Sequence, residues 1–273
     1  MKYVDILEKL KNMGVVEYEN EAFLILNHLF SVTHASLLLD REREYDSEPI
    51  FDILKKREKK IPLQYILGKW DFMGLTFFVS SDCLIPRPDT EVLVERALKE
   101  IKTGDRVADF CTGSGCIGLS LLKHCDTLDE ITLVDLSLPA LEMAKKNAKA
   151  LGVYENCRFF NCDIRDIKEK FDLILSNPPY IPSADIDSLS DEVKNEPHLA
   201  LDGGSDGLDI ISFLIGDGLN LLNENGRMII EFGYDQAQIM DTLLGKIKNE
   251  GKISYYELIS DYGGNIRHAL IKK

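Results

Sequence analysis

No two of the six cysteines (Cys83, Cys111, Cys116, Cys125, Cys157 and Cys162) form a CxxC pair, and none alternates with histidine at zinc spacing. That absence argues against a cysteine-ligated metal centre and against a disulfide framework, and predicts reduced thiols in a reducing compartment. No apolar run approaches the length of a membrane span. The start, MKYVDILEKL, is charged and amphipathic where a secretory leader is apolar, so the expectation is a cytoplasmic protein with no membrane partner. Positive charge is in deficit, with 32 basic residues against 46 acidic ones and a formal net charge of −14. A protein that grips a nucleic-acid backbone carries the opposite excess on at least one face, which disfavours duplex DNA as a partner. Internal repeats and low-complexity tracts are also missing.

The residues present fit two domains, one small and one of ordinary α/β size, in 273 residues of which 45% are hydrophobic. Residues 1–68 carry apolar side chains at helical spacing (Ile6, Leu7, Leu10 and Met13; Phe23, Leu24 and Leu26; Ile50, Phe51, Ile53 and Leu54), which predicts a small helical bundle. The basic run from Lys55 to Lys60 is expected to be a solvated helix end, and Gly68 to close the region. Residues 69–85 change pattern: KWDFMGLTFFVSS is aromatic and β-branched and predicts a hairpin joining the domains, with Trp70 as a packed anchor. Residues 86–273 form the second domain. In LIPRPDTE the prolines make a stiff strap, Asp89 or Thr90 can cap the following helix, and Arg87 can meet an acidic ligand group or a surface partner.

Two motifs carry the chemistry. RVADFCTGSGCIGLSLL reads as strand, glycine turn and helix start, and Gly113, Gly115 and Gly118 fit GxGxxG. Alone this suits dinucleotide and S-adenosylmethionine sites equally. Asp135, at the end of the strand Ile131–Val134, adds a carboxylate that can take both hydroxyls of a ribose, so the pair points to an adenosine-containing cofactor. Ser137 is expected to cap the next helix, and Asp163 either to accept from an adenine amino group or to cap a helix start just after it.

The second motif is FDLILSNPPYIP. Its apolar run is a buried strand that Asn177-Pro178-Pro179 stops abruptly, which puts Asn177 at a carboxyl strand end, where α/β sheets bind ligands. Prolines bring no N–H, and Asn177 adds a side-chain carbonyl, so the stretch offers stiffly held acceptors suited to a primary amide or an aromatic amine. Tyr180 offers a face for stacking. Ser183 to Gly207 is expected to be a long loop that brackets substrate. A helix over 208–222, a strand over 227–232, another helix, and strands over 253–259 and 266–271 joined by a turn at 261–264 complete an α/β sheet whose last pair is antiparallel.

LQYILGKWDFMGLTFFVSSDCLIPRPDTEVLVE, DFCTGSG, VDLS, SNPPYIP, NEPHLAL and DYGGNIR together resemble the release-factor glutamine methyltransferases (the HemK/PrmC group), over nearly the whole chain. The resemblance implies a class I S-adenosylmethionine-dependent methyltransferase: a Rossmann-like, mostly parallel seven-stranded sheet with an antiparallel last strand, preceded by a helical bundle that binds the release factor. It implies methylation of the glutamine amide in the GGQ motif of peptide chain release factors, with S-adenosyl-L-homocysteine as product and no metal, by an enzyme expected to be a monomer. It assigns Thr112, Gly113, Ser114 and Gly115 to the cofactor's methionyl part, Asp135 to its ribose, Asn177 to cofactor and substrate, and Pro178, Pro179 and Tyr180 to the substrate; Cys111, Asp163 and Ile164 are further candidate cofactor contacts, the last near the adenine, and Arg87 a candidate substrate contact. Asn177, Pro178 and Tyr180 are the catalytic set. Cys111 stands where relatives commonly have glycine, and Ile164 where some place an aromatic.

An amide nitrogen is a poor nucleophile, and no histidine or lysine stands near NPPY in sequence, so positioning is expected to carry the reaction. The alternative is an N6-adenine or N4-cytosine nucleic-acid methyltransferase, against which stand the acidity and the lack of a basic, aromatic-rich recognition segment. A nicotinamide dehydrogenase would explain Gly113 to Asp135 but leave NPPY idle, and a non-catalytic ribosome or release-factor binding module gains weight only if methyl transfer is absent while binding persists.

Overall fold

The computed structural model describes residues 1–273, which divide into two compact units: residues 1–68 with 190–195, and residues 69–189 with 196–273. No helix in either is long and apolar enough to cross a membrane.

The first unit holds α1 (Tyr3–Asn12), α2 (Tyr18–Phe30), α3 (His34–Leu39), α4 (Ser47–Glu58) and α5 (Leu63–Leu67). The helical spacing read from the sequence becomes one core of Ile6, Leu10, Ile25, Leu26, Ile50 and Leu54, all buried. Thr33 caps α3 and Asp46 caps α4, each accepting from a first-turn backbone N–H, and Gly68 ends α5 at φ 72°. The basic run is a solvated helix end only in part. Lys55, Lys56 and Lys59 are exposed, but Arg57 is 1% exposed and donates to Glu21 (2.9 and 2.8 Å), to the Ile61 carbonyl (2.7 Å) and to Glu192 (2.8 Å). Helical periodicity places Arg57 on the same face as Ile50, Ile53 and Leu54, and a buried guanidinium must find its partners there. Glu192 comes from the segment 190–195, which lies far along the chain yet belongs to this unit.

The second unit begins with a hairpin, β1 (Lys69–Phe72) and β2 (Leu75–Phe78), paired antiparallel from Lys69 opposite Phe78 to Phe72 opposite Leu75. Phe72 and Phe77 are buried among Leu93, Val94 and Ala97, while Trp70 is half-buried. Then come α6 (Pro88–Glu100), β3 (Val107–Phe110), α7 (Cys116–His124), β4 (Ile131–Asp135), α8 (Leu138–Ala150), β5 (Cys157–Asn161), β6 (Phe171–Ser176), α9 (His198–Leu201), α10 (Asp209–Ile215), β7 (Leu222–Glu231), α11 (Ala237–Asn249), β8 (Tyr255–Ser260) and β9 (Ile266–Lys272). The seven-stranded sheet runs β5-β4-β3-β6-β7-β9-β8, parallel except for β9, which is antiparallel to both neighbours.

Alternation explains why the central strands are apolar on both faces. Val107, Leu173, Leu175 and Ile229 pack with α6 and α7, whereas Ala108, Ile174, Met228 and Ile230 pack with α10 and α11. Some local expectations change. The helix expected over 208–222 stops at Ile215 and a 3₁₀ turn, Asp217–Leu221, leads directly into β7, which starts five residues earlier than read, at Leu222. Residues 183–207 are not one open loop: they hold 3₁₀ turns at Ser183–Ser188 and Val193–Asn195 and the short α9, because local backbone bonds satisfy polar groups that a packed loop cannot leave bare. Neither Asp89 nor Thr90 caps α6. The helix starts two or three residues earlier, with Pro88 at its first position, where a missing N–H costs nothing.

Candidate active-site cleft

From β3 the chain winds outward through β4 to β5, then returns to lay β6 on the other side of β3. The carboxyl ends of β3, β4 and β6 therefore splay around one crevice, the place where open α/β sheets take ligands. A cleft of about 990 Å³, including its open mouth, lies there. It gathers Cys111, Thr112, Gly113 and Ser114 from the turn after β3, Asp135 from the end of β4, Asp163 and Ile164 from the turn after β5, Asn177 and Pro179 from the end of β6, and Arg87 from the strap. Gly115, Pro178 and Tyr180 are not on its wall.

The turn after β3 is a run of left-handed residues: Cys111 (φ 59°), Gly113 (φ 55°) and Gly115 (φ 81°). This conformation is what glycine favours, and Cys111 adopts it with a side chain. Gly115 shapes the turn from behind, and a Cβ there would stand 2.9 Å from Leu119 Cδ1. Gly118 lets α7 approach the sheet, since its Cβ would meet Leu133 Cδ2 at 2.5 Å. Asp135 holds the turn by accepting from Gly113 N (2.8 Å) and, through its other oxygen, from Ser137 N (2.8 Å). Each carboxylate oxygen keeps a lone pair for a further donor. Burial raises the Asp135 carboxyl above its ordinary range, opposed by those two backbone bonds. Ser137 caps α8 as expected, accepting from Ala140 N. Asp163 lines the cleft, and it also accepts from Arg165 N (2.9 Å) to cap a 3₁₀ turn. Ile164 is buried against the core below the same wall.

The NPPY side has a different character. Asn177 Nδ2 donates to Thr90 Oγ1 (3.2 Å), which leaves Oδ1 as its acceptor end. Pro178 is buried and Pro179 lines the cleft. Tyr180 departs from the open stacking face expected of it. The ring is half-buried against the core, its hydroxyl lies 3.5 Å from Glu231 Oε1, and its carbonyl accepts from Gln236 Nε2 (3.0 Å). Burial and the Glu231 charge push the phenol up, so it stays protonated at neutral pH. Arg87 pairs with Glu196, a buried carboxylate that also accepts from Ile85 N (3.1 Å), so the pair fastens the strap within its own unit.

Several residues of this site escape a motif reading. Asp109 is fully buried in β3: Oδ2 accepts from the Thr112 hydroxyl (2.6 Å) and Gly118 N (3.0 Å), Oδ1 has no partner, and burial pushes the carboxyl up to about 7. Asn147, also buried, donates to the carbonyls of Ser114 (2.8 Å) and Phe78 (3.0 Å). An acidic residue in an otherwise apolar strand and a lone asparagine inside an alanine-rich helix are the signals that could have found them.

Chemically the cleft is a binding site whose carboxyls, Asp82, Asp135 and Asp163, are already engaged with Ser80, with Gly113 and Ser137, and with Arg165. Neither histidine nor lysine lines it. Its thiols are held protonated: burial pushes Cys83 up to about 11 and raises Cys111, Cys116 and Cys162 as well. None of the six cysteines is in a disulfide, and no group of three His, Cys, Asp or Glu side chains is arranged to hold a metal ion. The parts present do fit a nucleoside carrying a sulfonium: a glycine turn at a helix amino terminus, a carboxylate with spare lone pairs, and the buried Ser114 Oγ on the cleft wall without a partner.

Comparison with known proteins agrees with this reading. Residues 5–68 match the family model described as PrmC N-terminal domain, and residues 88–196 match Methyltransferase small domain. A release factor glutamine methyltransferase of Clostridium acetobutylicum is 37% identical over 268 residues, covering 93% of this chain and 93% of that protein. One from Aquifex aeolicus is 34% identical over 271 residues, covering 97% and 93%. Among solved structures, a methyltransferase from Pyrococcus furiosus shares the fold with TM-score 0.54 at 20% identity, over 80% of this chain and 98% of that one.

Proposed function

We infer the activity from one premise: the chain belongs to the family of release factor glutamine methyltransferases. It is accordingly a protein-glutamine methyltransferase acting on a release factor, and its family implies S-adenosyl-L-methionine as methyl donor. Beyond that, the target in our reading is the amide nitrogen of the glutamine in the GGQ motif, and the helical unit of residues 1–68 is the part that holds the factor. We further take the enzyme to work as a cytoplasmic monomer, without a nucleic-acid or membrane partner.

The observation that carries the assignment is the disposition of Asn177. Its amide nitrogen donates to Thr90, so its oxygen is left at the carboxyl end of β6 beside two residues that have no N–H. When bound, the donor supplies an electrophilic methyl group on a sulfonium. Thr112 to Ser114 and Asp135, on the cleft wall, would hold it, and Asp163 and Ile164 would lie beside its base. The substrate nitrogen is a weak nucleophile because its lone pair is delocalised into the amide carbonyl. Asn177 Oδ1 and the Pro178 carbonyl, accepting one hydrogen each, fix its direction and stabilise the positive charge that grows on it. In this reading no cleft-lining group removes the proton first: the thiols are protonated, no histidine or lysine is there, and the carboxyls of Asp82, Asp135 and Asp163 are held by neighbouring donors. The proton leaves afterwards to water. Nothing in this cradle rejects an aromatic amine, but the acidity of the chain and its family disfavour adenine and cytosine as substrates.

The test is mass spectrometry of a release factor incubated with the enzyme and S-adenosylmethionine, beside a duplex and a single-stranded DNA arm. A gain of one methyl group on the GGQ glutamine is expected. Methylation of a different residue, or of DNA alone, refutes the assignment.

A further inference from the structure

We propose that Gln236 is a positioning residue for methyl transfer, clasping the carboxyl end of the Asn177–Tyr180 segment from behind so that its acceptors keep one direction. The inference rests on the acceptor role given above to Asn177 and Pro178. Two adjacent prolines fix their own φ angles, so the segment turns as a stiff body when either end slips. It must therefore be held at both ends. At the amino end, Ser176 Oγ donates to the Phe110 carbonyl (2.9 Å) and Asn177 Nδ2 to Thr90 (3.2 Å). At the carboxyl end the holder is Gln236, in the turn between β7 and α11. Its Nε2 donates to the carbonyls of Tyr180 (3.0 Å) and Gly207 (3.2 Å), and its Oε1 accepts from Gly233 N (2.9 Å).

That bonding admits only one orientation of the amide. Turning it over would set its oxygen against two carbonyls and its NH₂ against an N–H. Gln236 is 5% exposed, so water cannot replace the lost bonds. The chain leaves room for the clasp with glycine. A Cβ on Gly207, which sits at φ 74°, would lie 2.3 Å from the Tyr180 carbonyl oxygen and 2.7 Å from Gln236 Nε2, and one on Gly203 would lie 2.8 Å from Tyr180 Cα. Gln236 is not on the cleft wall, so it acts on orientation and not on cofactor binding.

The experiment compares wild type, Gln236→Ala and Gln236→Glu for cofactor affinity, thermal midpoint, and kcat and KM for the release factor. Gln236→Ala is expected to keep the cofactor Kd within about two-fold and to lower kcat by about 10- to 100-fold, as for loss of a buried polar bond. Gln236→Glu keeps the volume and carries the test if the alanine variant folds poorly. A buried carboxyl titrates high, so its protonated form can still donate to Tyr180, whereas the ionised form opposes both carbonyls. Its kcat relative to wild type should fall as pH rises from about 6 to about 9, while the alanine ratio stays level. Unchanged kcat in Gln236→Ala, or a Gln236→Glu ratio that ignores pH, overturns the proposal. A wild-type enzyme that leaves the glutamine unmethylated would strike the proposed function instead.

Discussion

The turn after β3 and the segment after β6 leave adjacent strands of one sheet, and they meet the same cleft with opposite chemistry. The first has left-handed residues at Cys111, Gly113 and Gly115, backbone N–H groups, and the Asp135 carboxylate fastened to one of them. The second brings a neutral amide and two prolines, with no ionised group of its own. The contrast separates two tasks. Tight holding of a nucleoside calls for charge-assisted bonds, while activation of a neutral nitrogen calls for acceptors that stay fixed and do not titrate.

If that division holds, damage to each wall should show in a different parameter. The largest effect is expected for Asn177→Ala, which should lower kcat by about 10²–10³-fold, the usual loss for one such polar group, and leave cofactor Kd within a small factor. Asp135→Ala should do the reverse, weakening cofactor binding by about 10- to 100-fold in a calorimetric titration while kcat at saturating cofactor stays near wild type. Loss of kcat in both variants alike would break the comparison.

Asp109 sharpens it through pH. Its folded carboxyl titrates near 7 while an unfolded one titrates in the ordinary range, so the folded state retains a proton that the unfolded state has released. Stability should therefore fall as pH rises between about 4 and about 7, by on the order of 4 kcal/mol from this residue. Asp109→Asn should remove that slope in denaturant titrations. A slope equal to wild type would mean that the carboxyl is ionised where it lies. Smallest is Thr90→Val, which takes the partner from Asn177 Nδ2 and should lower kcat by about 5- to 10-fold, with Thr90→Ser restoring most of it. Equal turnover in Thr90→Val and wild type would show that Asn177 orients itself.

The features legible in the sequence are those that neighbours in sequence decide. The glycine turn, the proline stop after β6, the Ser137 cap and the hairpin at 69–78 each depend on a few adjacent residues, and the structure has them in place. The partners of the site residues are not readable in that way. Thr90 meets Asn177 across 87 residues and Gln236 meets Tyr180 across 56, and no local spacing encodes either pairing. Tyr180 loses its expected open face for the same reason, since its ring is drawn toward Glu231, a residue 51 positions away at the end of β7. Arg57 reads as one cation in a solvated run, because charge alone does not say which face of α4 turns inward.

The buried Arg57 also sets an order of events during protein synthesis. Its partner Glu192 is 135 residues downstream, so at about 5–20 residues per second the helical bundle must wait roughly 7–27 s on the ribosome before its last partner emerges. Until then Glu21 alone balances the guanidinium. A nascent chain stalled before residue 190 should accordingly present a helical bundle over residues 1–68 that proteases nick more readily than they do in the finished enzyme.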